Sequence, residues 1–96
     1  MNETNLIIDI IKEIRLEQHI SPYRESEEFE GYVKEGMYNI NNHCGAVIDY
    51  DKDLDARSLL KNYVLYADYK RLAEFKELYA GEYAKLQAEY YEATSV

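Results

Sequence analysis

From Ala56 to Ala80 the chain runs through ARSLLKNYVLYADYKRLAEFKELYA without a proline or a glycine, in residues that mostly favour helix. Within that run Leu59, Leu60, Tyr63, Val64, Leu65, Tyr66, Ala67 and Tyr69 are spread round nearly the whole circumference of a helix. The polar face shrinks to Arg57, Lys61, Asp68 and Arg71. A helix that is apolar on most sides has to be covered on most sides. The requirement predicts an all-α fold, a small bundle of about four helices with one long central helix. Leu60, Val64 and Ala67 are expected to face the core, with Met37 and Ile40 from the preceding helix. Two short neighbours in a chain of 96 residues leave part of such a helix bare, so a partner is expected to cover the rest.

The long helix is entered through IDYDKDLDARSLL, residues 48–60, which sets aspartates at every second position: Asp49, Asp51, Asp53 and Asp55. An EF-hand loop also alternates oxygen ligands, but it needs glycine at its sixth position for the turn and glutamate at its twelfth to close the shell. Counted from Asp49 those positions are Leu54 and Leu60, so no metal is expected here. Capping accounts for the acids instead. Asp55 stands where an N-cap belongs, its carboxylate accepting from free amides of the first turn, with Asp51 and Asp53 near the positive end of the helix dipole.

Upstream, Ile7, Ile10, Ile11 and Ile14 share one helical face, which predicts a short amphipathic helix over about 4–18. HISPYRES breaks it. Ser26 is the expected N-cap of a second helix, in which Phe29, Val33, Met37, Ile40 and Cys44 recur at helical spacing and Gly45 provides the end. Downstream, Gly81 marks an expected break before EYAKLQAEYYEATSV, helical in pattern and fraying into Thr94, Ser95 and Val96. The expected organisation is one domain over 1–96, with its core in about 4–80 and a partly ordered segment at 82–96.

Eleven tyrosines accompany two phenylalanines and no tryptophan. Tyrosine buries a large ring while its hydroxyl faces water, which suits helices exposed in a monomer and covered in a complex. Tyr32, Tyr38, Tyr63 and Tyr66 are read as rimming the core, and Tyr83, Tyr90 and Tyr91 as contacts to a partner. With 19 acids against 11 bases the formal charge is −8, which argues against a surface that grips phosphates.

The lone Cys44 rules out an internal disulfide, and MNETNLIIDIIKEI carries acids where a signal peptide carries bases. Asp9, Lys12 and Glu13 interrupt its apolar residues too soon for a membrane span. The chain therefore reads as soluble and intracellular. Nor is an enzyme expected. His43 and Cys44 are adjacent and diverge by about 100 degrees on a helix, so they form no nucleophile and base pair. His19 has no partner at ligand spacing, Gly31, Gly36, Gly45 and Gly81 form no phosphate cradle, and no carboxylate spacing picks out an acid and base pair. No cofactor is called for.

Taken together, EGYVKEGMYNINNHCGAVIDYDKDLDARSLLKNYVLYADYKRLAEFKELYAGEYAKLQ resembles the small head-to-tail connector, or head-completion, proteins of tailed bacteriophages. The resemblance spans about residues 26–87 and lies in an order of features. A helix carrying GMYNIN closes at CG, an acidic loop with an aromatic, Tyr50, follows, then DARSLLKNYVLYADY and then EFKELYAGEYAKLQ. Gly36 and Met37 match the small-then-apolar pair of the first helix, Ala56 to Leu60 the start of the long helix, and Tyr63 and Tyr66 its aromatic positions. Phe75, Tyr79 and Leu86 match the apolar positions of the closing segment. AEYYEATSV has no match; family members differ in the terminal segments that grip the portal.

The resemblance implies a helical structural subunit that assembles with itself into a ring, typically a dodecamer, beneath the portal protein, and receives the next connector or stopper protein on its far side. DNA passes through such a ring without specific binding. The implied location is the virion's head-tail junction, with host cytoplasm during assembly and no membrane. A ring needs two different faces of each subunit to meet. Tyr69, Leu72 and Lys76 on the long helix are expected to pack against a neighbour, and Tyr83, Tyr90 and Tyr91 to reach towards the neighbour or the portal. The alternative is an acidic helical inhibitor or adaptor, either a DNA mimic or a binder of one host protein, which acts as a monomer or dimer.

Overall fold

The computed structural model describes residues 3–94. Among them the chain forms five helices and no strands: α1 (Glu3–Gln18), α2 (Ser26–Cys44), α3 (Leu54–Asp68), α4 (Leu72–Leu78) and α5 (Ala80–Thr94). The all-α expectation holds, but the long central helix does not. The glycine-free run from Ala56 to Ala80 is divided between α3, α4 and the start of α5, and α2 is the longest element at 19 residues.

The division follows from how helices here end. At the end of α3 the Arg71 amide donates back to the Tyr66 carbonyl at 2.8 Å, and Lys70 between them takes a left-handed backbone at φ 62°. The end of α1 repeats the pattern with Ile20 to Arg15 at 3.1 Å around His19 at φ 51°. The end of α2 repeats it again with Ala46 to Asn41 at 3.1 Å around Gly45 at φ 64°. All three are Schellman closures, and only one uses the residue that adopts a positive φ without strain.

The turn at Lys70 is offset by what it brings inside. α4 turns so that the fully buried Phe75 ring meets Tyr63 at 5.5 Å, Tyr66 at 5.6 Å, Tyr79 at 4.8 Å and Tyr83 at 5.9 Å between centroids. Edge-to-face and offset aromatic pairs of this kind contribute about 0.5–1.5 kcal/mol each beyond area burial. α5 follows after a single residue, Tyr79, so the expected break at Gly81 falls two residues earlier and Gly81 itself lies in the first turn of α5.

α3 is covered from within the chain. α2 lies along it, and α4 and α5 fold back onto it, so Leu59, Leu60, Tyr63, Val64, Leu65 and Ala67 are all buried without a partner molecule. Leu60, Val64, Ala67 and Ile40 face this core as expected, with Met37 packed against it. Gly36 sets the approach of α2 to α3: a Cβ there would stand 2.7 Å from Leu60 Cδ1 and 2.8 Å from Tyr63 Cδ1. α1 contributes Leu6, Ile7, Ile10, Ile11 and Ile14 to the same cluster.

Charges join the periphery. Arg57 of α3 grips Glu13 of α1 through both its Nε and Nη2, Lys61 adds bonds to Glu13 at 3.3 Å and Glu17 at 2.8 Å, and Arg57 Nη1 reaches Asp51 at 3.5 Å. Hydrogen bonding from Arg57 holds the Glu13 carboxyl below its ordinary value. Arg24 spans Asp68 and Glu28 while its guanidinium lies 4.9 Å over the Phe29 ring. Its hold on Asp68 offsets the cost of an acid at the negative end of α3. Ser26 opens α2, but the N-cap is Glu25, which makes no side-chain cap; Ser26 Oγ instead accepts from Arg15 at 3.3 Å.

The segment expected to be partly ordered, 82–96, is helical through Thr94, and Ser95 and Val96, where fraying is expected, lie outside the described residues. The overall body measures 48 × 32 × 19 Å.

Candidate interaction surface

Asp53, not Asp55, caps α3. Its Oδ1 accepts from the Ala56 amide at 3.0 Å, and its Oδ2 accepts from the Tyr90 hydroxyl at 2.6 Å. The choice among the aspartates is made by the turn before the helix: the Lys52 and Asp53 amides donate to the Asp49 carbonyl at 3.1 and 2.9 Å, and Asp49 Oδ1 takes the Asp51 amide at 3.0 Å. Asp55 falls in the first turn, largely exposed, with Lys85 Nζ at 3.5 Å from its carboxylate. Among the described residues no group of three or more His, Cys, Asp or Glu is disposed to hold a metal ion. No described helix is long and apolar enough to cross a membrane.

The tyrosines divide differently from the expectation. Tyr83 is buried, donates to Asn39 Oδ1 at 2.7 Å and meets Phe75, so it belongs to the subunit's own core. Burial pushes its hydroxyl up to about 12. Tyr90 is half-buried and spends its hydroxyl on Asp53. Tyr63 donates to Glu35 at 2.6 Å and Tyr50 to Asn41 at 2.8 Å. Each of these four rings lies inside or against the core while its hydroxyl reaches an acceptor at the edge, and burial raises the pKa of all four. Tyr38, expected to rim the core, is instead 71% exposed.

The remaining expected contact residues lie on α3, α4 and α5. Tyr69 is the C-cap of α3 and is exposed; Leu72 is half-buried against the core at the start of α4. Tyr91 is 70% exposed and borders a shallow depression with Ala84, Gln87 and Ala88 on the outer side of α5. Lys76 stands at a recess of about 300 Å³ between α2 and the α4–α5 turn, lined also by Asn39, His43, Ala80 and Tyr83. The structure thus brings Lys76 and Tyr83 together and leaves Tyr69 and Tyr91 apart from them.

Two features were missed in the sequence. Asn39 and His43, one turn apart on α2, share the recess, and the His43 ring meets Tyr83 edge-on at 4.8 Å. Their i, i+4 spacing was the available signal. At the other side of the α2 end, Tyr38 and the 93% exposed Val47 border a second shallow depression with Asn41, Asn42 and Gly45.

Comparison with family models, with curated proteins and with solved structures finds no match to this chain.

Proposed function

We propose that the chain is a structural subunit of the head-to-tail connector of a tailed bacteriophage, joining copies of itself in a ring beneath the portal and receiving the next connector protein below. The order of motifs from GMYNIN through EFKELYAGEYAKLQ leads to this reading. The observation that carries it is a subunit satisfied inside yet apolar outside at two separate places. Among the described residues no buried side-chain nitrogen or oxygen lacks a hydrogen-bond partner. Outside, the exposed Tyr38 and Val47 border one depression, beside Asn41 and Asn42, and the exposed Tyr91 with Ala84 and Ala88 borders another, with no lining residue in common. Two unlike faces are what a closed ring requires, whereas a symmetric dimer needs one. The charge of −8 suits a channel through which DNA moves without adhering.

The coverage of α3 by its own chain removes one earlier reason for a partner, so the proposal rests on the outer faces and the motif order. Truncation after Gly81 would also delete Tyr83 and Leu86 from the core, which makes point changes the cleaner test. Val47→Asp and Tyr91→Asp should leave the monomer folded and fail to complement a phage lacking this gene, giving DNA-filled heads without tails. Normal infectious particles from both variants would sink the proposal. A wild-type protein that forms no assembly in solution, with or without portal, and acts as a monomer would favour the inhibitor or adaptor reading.

A further inference from the structure

The recess at Lys76 differs in charge from the two other recesses that hold a lysine. Where other lysines border a recess, carboxylates stand beside them: Lys85 with Asp55 and Glu82, Lys70 with Glu28, Glu35 and Asp68. No carboxylate lines the recess of Lys76 in a chain with 19 of them. Among the described residues neither Lys76 Nζ nor a His43 ring nitrogen has a hydrogen-bond partner, and Asn39, whose Oδ1 accepts from Tyr83, still has its amide hydrogens to give. Three side chains able to donate hydrogen bonds, Asn39, His43 and Lys76, therefore line one recess of about 300 Å³ together with the Tyr83 ring, which packs edge-on against Phe75.

We infer that this recess is one half of a head-to-tail contact between copies of the chain, receiving a carboxylate from the opposite end of α2 in a second copy. The opposite end carries Glu25, Glu27 and Glu30, none of them paired with a cation among the described residues. They crowd one another: the Glu25 side chain, through its hydrogen bond and its charge, raises the Glu27 carboxyl above its ordinary value. Even Glu30, the nearest of the three, lies nine residues or roughly 13 Å of helix axis from Asn39, so the acidic end does not fill the recess of its own copy. A contact joining unlike ends is heterologous, so it propagates from copy to copy in the way a ring demands. The inference rests on the connector reading in requiring that copies associate.

The test is zero-length carbodiimide coupling on an equal mixture of unlabelled and heavy-isotope-labelled full-length protein, alone at high concentration and with portal. The expected product is an isotopically mixed peptide joining Lys76 to Glu25, Glu27 or Glu30, with self-association of Lys76→Glu weakened at least about fivefold and partly restored in the Lys76→Glu, Glu27→Lys double variant. Circular dichroism should show the same helix content in each. Rings that form without a mixed Lys76 cross-link, or that form equally from Lys76→Glu, overturn this contact while the connector reading stands. Failure to assemble under either condition overturns both.

Discussion

The Tyr90 hydroxyl and the Asp53 carboxylate meet at 2.6 Å, tying the far end of α5 to the N-cap of α3. Asp53 divides its two oxygens between that tyrosine and the Ala56 amide. Asp53→Ala should therefore destabilise the fold by about 1–2 kcal/mol through the lost cap, with a further loss of about 1 kcal/mol from the stranded tyrosine hydroxyl. Asp55→Ala should be close to neutral. Urea unfolding of both variants checks the assignment, and equal losses would return the cap to Asp55.

Gly36 and Gly31 sit on the same helix and predict opposite outcomes. An Ala Cβ at 36 runs into Leu60 and Tyr63, so Gly36→Ala should cost about 1–3 kcal/mol by overpacking. At 31 the space is open, and Gly31→Ala should stabilise by about 0.5–1 kcal/mol. Thermal melts of the pair will show whether α2 and α3 approach as closely as described.

His19 and Lys70 occupy positions where a glycine would be unstrained. His19→Gly and Lys70→Gly should each leave stability unchanged or raise it by up to about 1 kcal/mol, although glycine in a helix ordinarily lowers it. A loss of the ordinary size at both sites would refute the left-handed closures.

Glu13 gives the fold an acid-sensitive element. Because Arg57 holds its folded pKa below 4.5, the carboxylate contributes stability that is fully present above that pH and fades as pH falls through the lower folded value. The stability difference between the parent and Glu13→Gln should thus be constant near neutrality and vanish in strong acid. Melting temperatures of both proteins from pH 7 downward test it.

Helix type was legible because apolar spacing alone sets it: the isoleucines of α1 and the Phe29, Val33, Ile40 stripe of α2 are buried where their period places them. What escaped was decided by residues distant in the chain. Nothing local at Tyr69, Lys70 or Arg71 announces an end to α3, since two of the three closures lack the glycine that signals one; the turn follows from the place Phe75 takes among four tyrosines. Position alone points to Asp55 among the four alternating aspartates, whereas the turn at Asp49 and Tyr90, 37 residues from Asp53, select Asp53. The recess at Lys76 is half legible in the sequence: Lys76 falls on an expected contact face, whereas Asn39 and His43 meet it only through the packing of α2 against the α4–α5 turn.

A body 19 Å thick is about two helix diameters deep. No side chain in it is far from either broad face, so the molecule has no deep interior to insulate one face from the other. A ligand or neighbour that settles on one side braces the same layer of side chains that supports the opposite side, and its binding energy adds directly to the free energy of folding. Occupancy should therefore register as slower amide hydrogen exchange across the whole slab, on the untouched face as well as the covered one.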